Sequence, residues 1–131
     1  MELLRIWEYT GQVRRGYFVE GMSGAQFIRK EEYEGVTAAL KAPEDGIIWL
    51  NAADPAQIWG KSLAQPGDRD FPNVPGTAAA LHCGRAAAVL ERQGRILRVF
   101  EPHGLEQALT IFVNDFKGKR LFPELKRLIV R

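Results

Sequence analysis

The sequence predicts an α+β fold: a β-hairpin with short helices, then a curved antiparallel β-sheet or small barrel with flanking helices. Three observations predict it. "TGQVRRGYFVEGMSGAQFI", residues 10–28, holds short β-prone runs punctuated by glycine. "TAAALH", "RAAAVLE" and "RILRVFE" follow one another at hairpin spacing, separated by Cys83-Gly84 and Gln93-Gly94. "HGLEQALTIFVNDFKGKR" places Leu105, Leu109, Phe112, Val113 and Phe116 on one helical stripe.

In chain order, residues 2–9 read as a short helix with Leu3, Ile6 and Trp7 on one face, ended by Gly11. Gln12 to Arg14 and Tyr17 to Glu20 read as two strands joined at Arg15-Gly16, because glycine readily takes the positive φ of a tight turn. Ala25 to Ile28 resumes an extended run. Lys30 to Ala42 reads as a helix with Tyr33, Val36 and Leu40 on one side, stopped by Pro43. Ile47 to Leu50 is an unbroken apolar run, as in a strand buried on both faces. Residues 54–76 hold four prolines and three glycines, a long irregular connection of the kind that often carries function. The three runs after Thr77 form an antiparallel meander, whose alanines imply close packing against a helix. The helix over 105–117 comes next, its last turn favoured by the cations that follow it. "LKRLIVR" reads as a last strand. Two parts result: a hairpin and helix over 1–42, and a sheet domain with its amphipathic helix over 43–131.

Composition excludes several classes. The 131 residues are 46% hydrophobic and 26% charged, ordinary for a folded chain. No apolar run approaches the ~18–20 residues that span a bilayer, and "MELLRIWEYT" is not a signal peptide. A single cysteine excludes an internal disulfide and suits a reducing, cytoplasmic setting. With two separated histidines it does not supply a structural zinc site, and no metal ligand set is expected. The net charge is +2 but uneven: residues 31–70 carry three bases and eight acids, flanked by basic segments. Such a balance lets one face meet a polyanion while another repels it.

Catalytic motifs are weak. "PAQIWGKS", residues 55–62, ends like a phosphate-binding loop but begins with Pro55 where a glycine must curl around phosphate. Asp54 precedes a proline and suits a turn cap, and His103 opens a helix. No nucleophile has a recognisable setting, so no catalytic residue is assigned. The cations are the stronger signal. Arg14 and Arg15 lie on the hairpin, and Arg85, Arg92, Arg95 and Arg98 decorate the meander. Lys117, Lys119, Arg120, Lys126, Arg127 and Arg131 crowd the end. Spaced Lys and Arg on rigid elements are what phosphate recognition needs. Tyr17 and Trp59 are the aromatics available for base stacking.

Two blocks carry a family resemblance. Gly11, Val13, Arg14, Gly16, Phe18, Val19, Gly21, Ser23, Gly24, Gln26 and Phe27 match a pattern like "GEVRGGRFVxGxSGEQF". Ala52, Ala53, Asp54 and Pro55 match "SAADP". In this order and spacing they resemble the C-terminal region of the large helicase-related (Lhr) proteins, superfamily-two DNA helicases, over nearly the whole chain. Departures are Gln57 where the family often has asparagine, Gly76-Thr77-Ala78 at the meander's opening, and His82-Cys83-Gly84 in place of an "RDG" hairpin.

The resemblance implies a winged-helix-like hairpin and a chain cut from a longer ATP-dependent helicase acting in DNA repair. ATP and Mg²⁺ would belong to the parent's motor domains, with no cofactor in this segment. The expected role is a non-catalytic DNA-binding module. Arg14, Arg15 and Tyr17 would meet backbone phosphate, and Lys117, Lys119, Arg120, Lys126 and Arg127 would form a second surface. The partners would be single-stranded DNA or a duplex junction and the motor domains of the same chain, with no membrane. The alternatives are a docking or oligomerisation module without DNA affinity, and part of a DNA glycosylase-like barrel and winged-helix unit.

Overall fold

The computed structural model describes residues 2–60, 63–64 and 67–129. Their order is α1 (Glu2–Tyr9), β1 (Val13–Gly16), β2 (Gln26–Arg29), α2 (Tyr33–Lys41), β3 (Ile47–Asn51), β4 (Ala78–His82), β5 (Arg85–Glu91), β6 (Ile96–Val99) and α3 (Leu105–Lys117). Residues 1–44 and 45–131 form two compact units.

In the first unit, α1 closes where Gly11 takes φ +74° and Gln12 N–H returns to the Trp7 carbonyl at 2.8 Å. β1 and β2 pair antiparallel, Arg14 opposite Ile28 and Arg15 opposite Phe27. Arg15-Gly16 is therefore not the turn, and Tyr17 to Glu20 is not a strand. Gly16 lacks a positive φ; the positive values fall at Gly21 and Gly24 within the connecting loop. A Cβ on Gly16 would lie 2.8 Å from the Phe18 ring, so the glycine serves close ring packing. α2 begins at Tyr33, three residues later than the apolar spacing suggests, because residues 30–32 form a turn. Val13 is the one buried hydrophobic residue among those described in this unit.

In the second unit, β3-β4-β5-β6 form an antiparallel sheet in sequence order. The sheet is open, with β3 and β6 at its edges; the small-barrel alternative is not what forms. β3 is accordingly not buried on both faces, since Trp49 is buried while Ile48 is 57% exposed. The meander turns fall where expected. At Cys83-Gly84, φ values of 47° and 77° give the left-handed pair that matches strand twist. The alanines do what their size suggests. Ala78, Ala80 and Ala88 pack with Trp49, Leu90, Ala108 and Phe112 beneath α3. Ala79, Ala86 and Val89 face Ala52 and Phe71 on the other side. Trp49 donates its indole N–H to the Ala108 carbonyl at 2.7 Å, tying the edge strand to the helix.

The long connection is fastened by Gln57, itself buried, whose amide N–H groups reach the Ala52 and Trp59 carbonyls and Asn73 Oδ1. Lys61, Ser62 and Pro66 lie outside the described residues. Leu121 and Phe122 complete the core, and Leu125 and Leu128 pack against it. The expected final strand does not form through Ile129: the apolar side chains at 122, 125 and 128 recur every third residue and not in alternation. Val130 and Arg131 lie outside the described residues.

Candidate nucleic-acid interface

Adjacent residues of a strand point to opposite faces, and this separates the two arginines of β1. Arg14 lies over the Tyr33 ring, its guanidinium carbon 4.6 Å from the centroid, while Phe18 meets the same ring edge-on at 6.3 Å. Arg15, on the other face, is exposed and makes no ion pair among the described residues. The loop of residues 17–25 is held by one side chain, that of Gln26. Its Oε1 accepts the amides of Phe18 and Val19 at 2.7 and 2.8 Å, and its Nε2 donates to the carbonyls of Val19 and Met22 at 3.1 and 3.0 Å. A glutamine thus stands in for a missing strand partner. The loop presents Tyr17, 88% exposed, beside the partly exposed Phe18, Val19 and Met22. A groove near the base of this ribbon pairs Arg29 and Lys30 with Glu31 and Glu34, a mixed charge that does not favour an anion.

The second expected surface divides. Lys119 is spent on the fold, donating to the Pro123 and Leu125 carbonyls at 3.3 and 2.9 Å. Arg120 stays exposed, 3.4 Å from Asp115. Lys117, Lys126 and Arg127 are exposed with no ion pair among the described residues. Arg127 and Arg95 line one depression with Leu125 and Leu128, a meeting of meander and tail that spacing alone does not reveal. Arg98 holds Glu91 and the Asp70 carbonyl at 3.0 and 2.8 Å and stacks on Phe100. Trp59 is turned inward, donating to the Gly84 carbonyl at 2.8 Å, and is not placed for stacking.

A polar cluster goes unseen in the sequence. His82 Nε2 is 2.8 Å from Asp45 Oδ1, and Nδ1 is 3.1 Å from Glu101 Oε2. Arg69 donates to Glu101 Oε1 at 2.5 Å and to the Ala86 carbonyl at 3.0 Å. The hydrogen bond to Asp45, then that to Glu101, raises the His82 pKa above its ordinary value. Arg69, then His82, holds the Glu101 carboxyl below its own. Asp45, His82, Glu101, His103 and Gln107 line a cleft of about 230 Å³. Asp54 behaves as a turn cap, its Oδ1 accepting the Ala56 amide at 2.8 Å.

Residues 1–47 match the model of the "Large helicase-related protein, winged-helix domain". The chain is 37% identical over 127 residues, 94% of its length, to the "Lhr helicase/uracil glycosylase" of Escherichia coli K12. It is 36% identical over 108 residues, 76% of its length, to the "Lhr helicase/ probable uracil glycosylase" of Mycolicibacterium smegmatis. The chain belongs to the large helicase-related family. It spans only 8% and 7% of those two relatives. The winged-helix match covers α1, β1, β2, their stapled loop and α2, and the similarity to the Escherichia coli Lhr protein runs on through the sheet and α3. Among the described residues no helix is long and apolar enough to cross a membrane.

Proposed function

We propose that this chain is a non-catalytic module of an ATP-dependent Lhr-type DNA helicase acting in repair, and that it holds single-stranded DNA or a duplex junction by its phosphates. One observation carries the reading: Arg15 stands exposed, without a carboxylate partner among the described residues, on a ribbon whose loop a single glutamine staples. Preorganised cations hold a polyanion without reading its bases, since phosphate contacts orient and do not specify. Tyr17 offers a ring at the loop's start, and Lys117, Lys126, Arg127 and Arg95 offer further cations. ATP and Mg²⁺ are assigned to the parent's motor domains, which would be this segment's partners.

The test is anisotropy of a labelled single strand with the whole chain at 50 and 200 mM salt. Each neutralised phosphate of a single strand lowers log K by about 0.7 per decade of salt, so one contact is worth about 2.6-fold across that range. Arg15→Ala is expected to weaken binding and flatten the slope by about 0.7. Affinity equal to wild type at both salt levels removes the wing from the interface.

A docking role has its own support, because α1 and α2 bury no residue and leave Leu3, Ile6 and Leu40 exposed. Concentration-dependent self-association without DNA affinity would favour it. Base excision, suggested by the relatives' names, meets an obstacle: both Glu101 oxygens are engaged, by Arg69 and His82, which weakens that carboxylate as a base. Release of uracil by the chain alone would reverse this preference.

A further inference from the structure

The β3–β4 register sets Ile47 opposite His82, so Asp45, two residues before Ile47, falls beside the end of β4. The left-handed turn residue Cys83 follows His82 directly. One donor atom from each of Asp45, His82 and Cys83 lies within 4.8 Å of the other two. We propose that these three residues form a binding site for a zinc-class divalent cation.

The donors are one carboxylate oxygen, one imidazole nitrogen and one sulfur, a mixed set suited to zinc and its borderline neighbours. The outer shell is already built. Glu101 is fixed by Arg69 and faces His82 Nδ1 at 3.1 Å, so when the ring is neutral with its proton on Nδ1, Glu101 accepts that N–H. The Nε2 lone pair then points at Asp45 Oδ1, 2.8 Å away, which is itself an acceptor. A cation between them turns that opposition into two bonds. This carboxylate–histidine arrangement is what orients metal-binding imidazoles and fixes their tautomer.

Bonds of about 2.0–2.3 Å put tetrahedral donors roughly 3.3–3.8 Å apart, so the His82–Asp45 pair at 2.8 Å must open by about 0.5 Å and any donor pair near the 4.8 Å limit must close by about 1 Å. Asp45, with its side chain 94% exposed, can shift without losing a buried contact. Three protein ligands leave a fourth position for water or an exogenous donor. The sequence hides the set because Asp45 lies 37 residues before His82.

The competing state is a protonated His82 that donates to both carboxylates and needs no metal. Cobalt(II) distinguishes the two. The whole chain, stripped with a chelator, is titrated with Co²⁺ and followed for thiolate-to-cobalt charge transfer and tetrahedral ligand-field bands, with circular dichroism monitoring the fold. One equivalent is expected to saturate both signals, and Zn²⁺ to displace the cobalt. Cys83→Ser, at an exposed position, is expected to abolish the charge-transfer band with the fold intact. Glu101→Gln is expected to weaken binding by about 10- to 100-fold while keeping the band. No thiolate band in the folded wild-type chain, or equal cobalt affinity in wild type and Cys83→Ser, overturns the site and leaves the protonated salt bridge.

Discussion

Replacing Gln26 by alanine tests the wing most directly, because it removes the staple and leaves every cation in place. Gln26 makes four hydrogen bonds to the loop backbone, between 2.7 and 3.1 Å. A hydrogen bond contributes about 0.5–1.5 kcal/mol net, and exposed ones fall at the low end. Four of them, sharing one side chain's ordering entropy, give about 1–2 kcal/mol for holding the loop. Hydrogen exchange reads this at the Phe18 and Val19 amides, whose recorded acceptor is Gln26 Oε1. At 1.4 kcal/mol per tenfold, their protection should fall about 5- to 30-fold in Gln26→Ala. The ladder amides of β1 and β2 should change less. Gln26→Glu is a sharper control, since a carboxylate still accepts from Phe18 and Val19 but cannot donate to Val19 and Met22. Single-strand affinity should drop in both variants although Arg14 and Arg15 remain. Unchanged Phe18 and Val19 protection in Gln26→Ala would refute the staple; unchanged affinity with lost protection would show that loop order is irrelevant to binding.

Other expectations follow from the same geometry. Phe112→Ala, at a ring packed 5.1 Å from Trp49 and 6.2 Å from Phe122, should cost about 3–5 kcal/mol in urea unfolding. Gly16→Ala should push Phe18 off its seat and lower thermal stability, since a Cβ there lies 2.8 Å from the ring. In the chelator-treated chain, raised His82 gives stabilisation that is full below its ordinary 6.5 and lost as pH rises through its higher folded pKa. Lowered Glu101 gives stabilisation that is full above its ordinary 4.5 and lost as pH falls through its lower folded pKa. Their joint contribution should peak between pH 4.5 and 6.5, and His82→Gln should flatten the decline in urea midpoint above that window.

Local rules read the second unit well. Its turns are glycine-marked, its strands lie next to each other in sequence, and α3 has an apolar stripe whose buried centre is Ala108 and Phe112. The first unit was harder to read because its ribbon is completed by a side chain. Propensity favours a strand at Tyr17 to Glu20 and a turn at Arg15-Gly16, but Gln26 supplies hydrogen bonds that a strand partner would otherwise make. The Asp45–His82–Glu101–Arg69 cluster was invisible for another reason. Its members meet through sheet register and loop return, and Glu101 is 19 residues from His82 and 32 from Arg69. Spacing rules for motifs do not reach such sets.

Charge shows the same division, and it sets the salt dependence that the proposed DNA contact would have. Sequence alone nominates seven cations: Arg14, Arg15, Lys117, Lys119, Arg120, Lys126 and Arg127. Were each to neutralise one phosphate of a single strand, log K would fall by about 4.9 per decade of salt. The structure engages three of them: Arg14 over Tyr33, Lys119 on two carbonyls, and Arg120 near Asp115. Four of the seven remain open, Arg15, Lys117, Lys126 and Arg127, and with Arg95 beside Arg127 the expected slope is about 3.5. These cations also belong to two separate units, so a short strand that reaches only the wing should show a slope below 1. Binding measured against oligonucleotide length should therefore gain slope once the strand is long enough to meet both surfaces. A slope above about 5 on a long strand would mean that Arg14, Lys119 and Arg120 leave their internal partners for phosphate. A slope near zero at every length would mean that the exposed guanidinium of Arg15 faces some other partner.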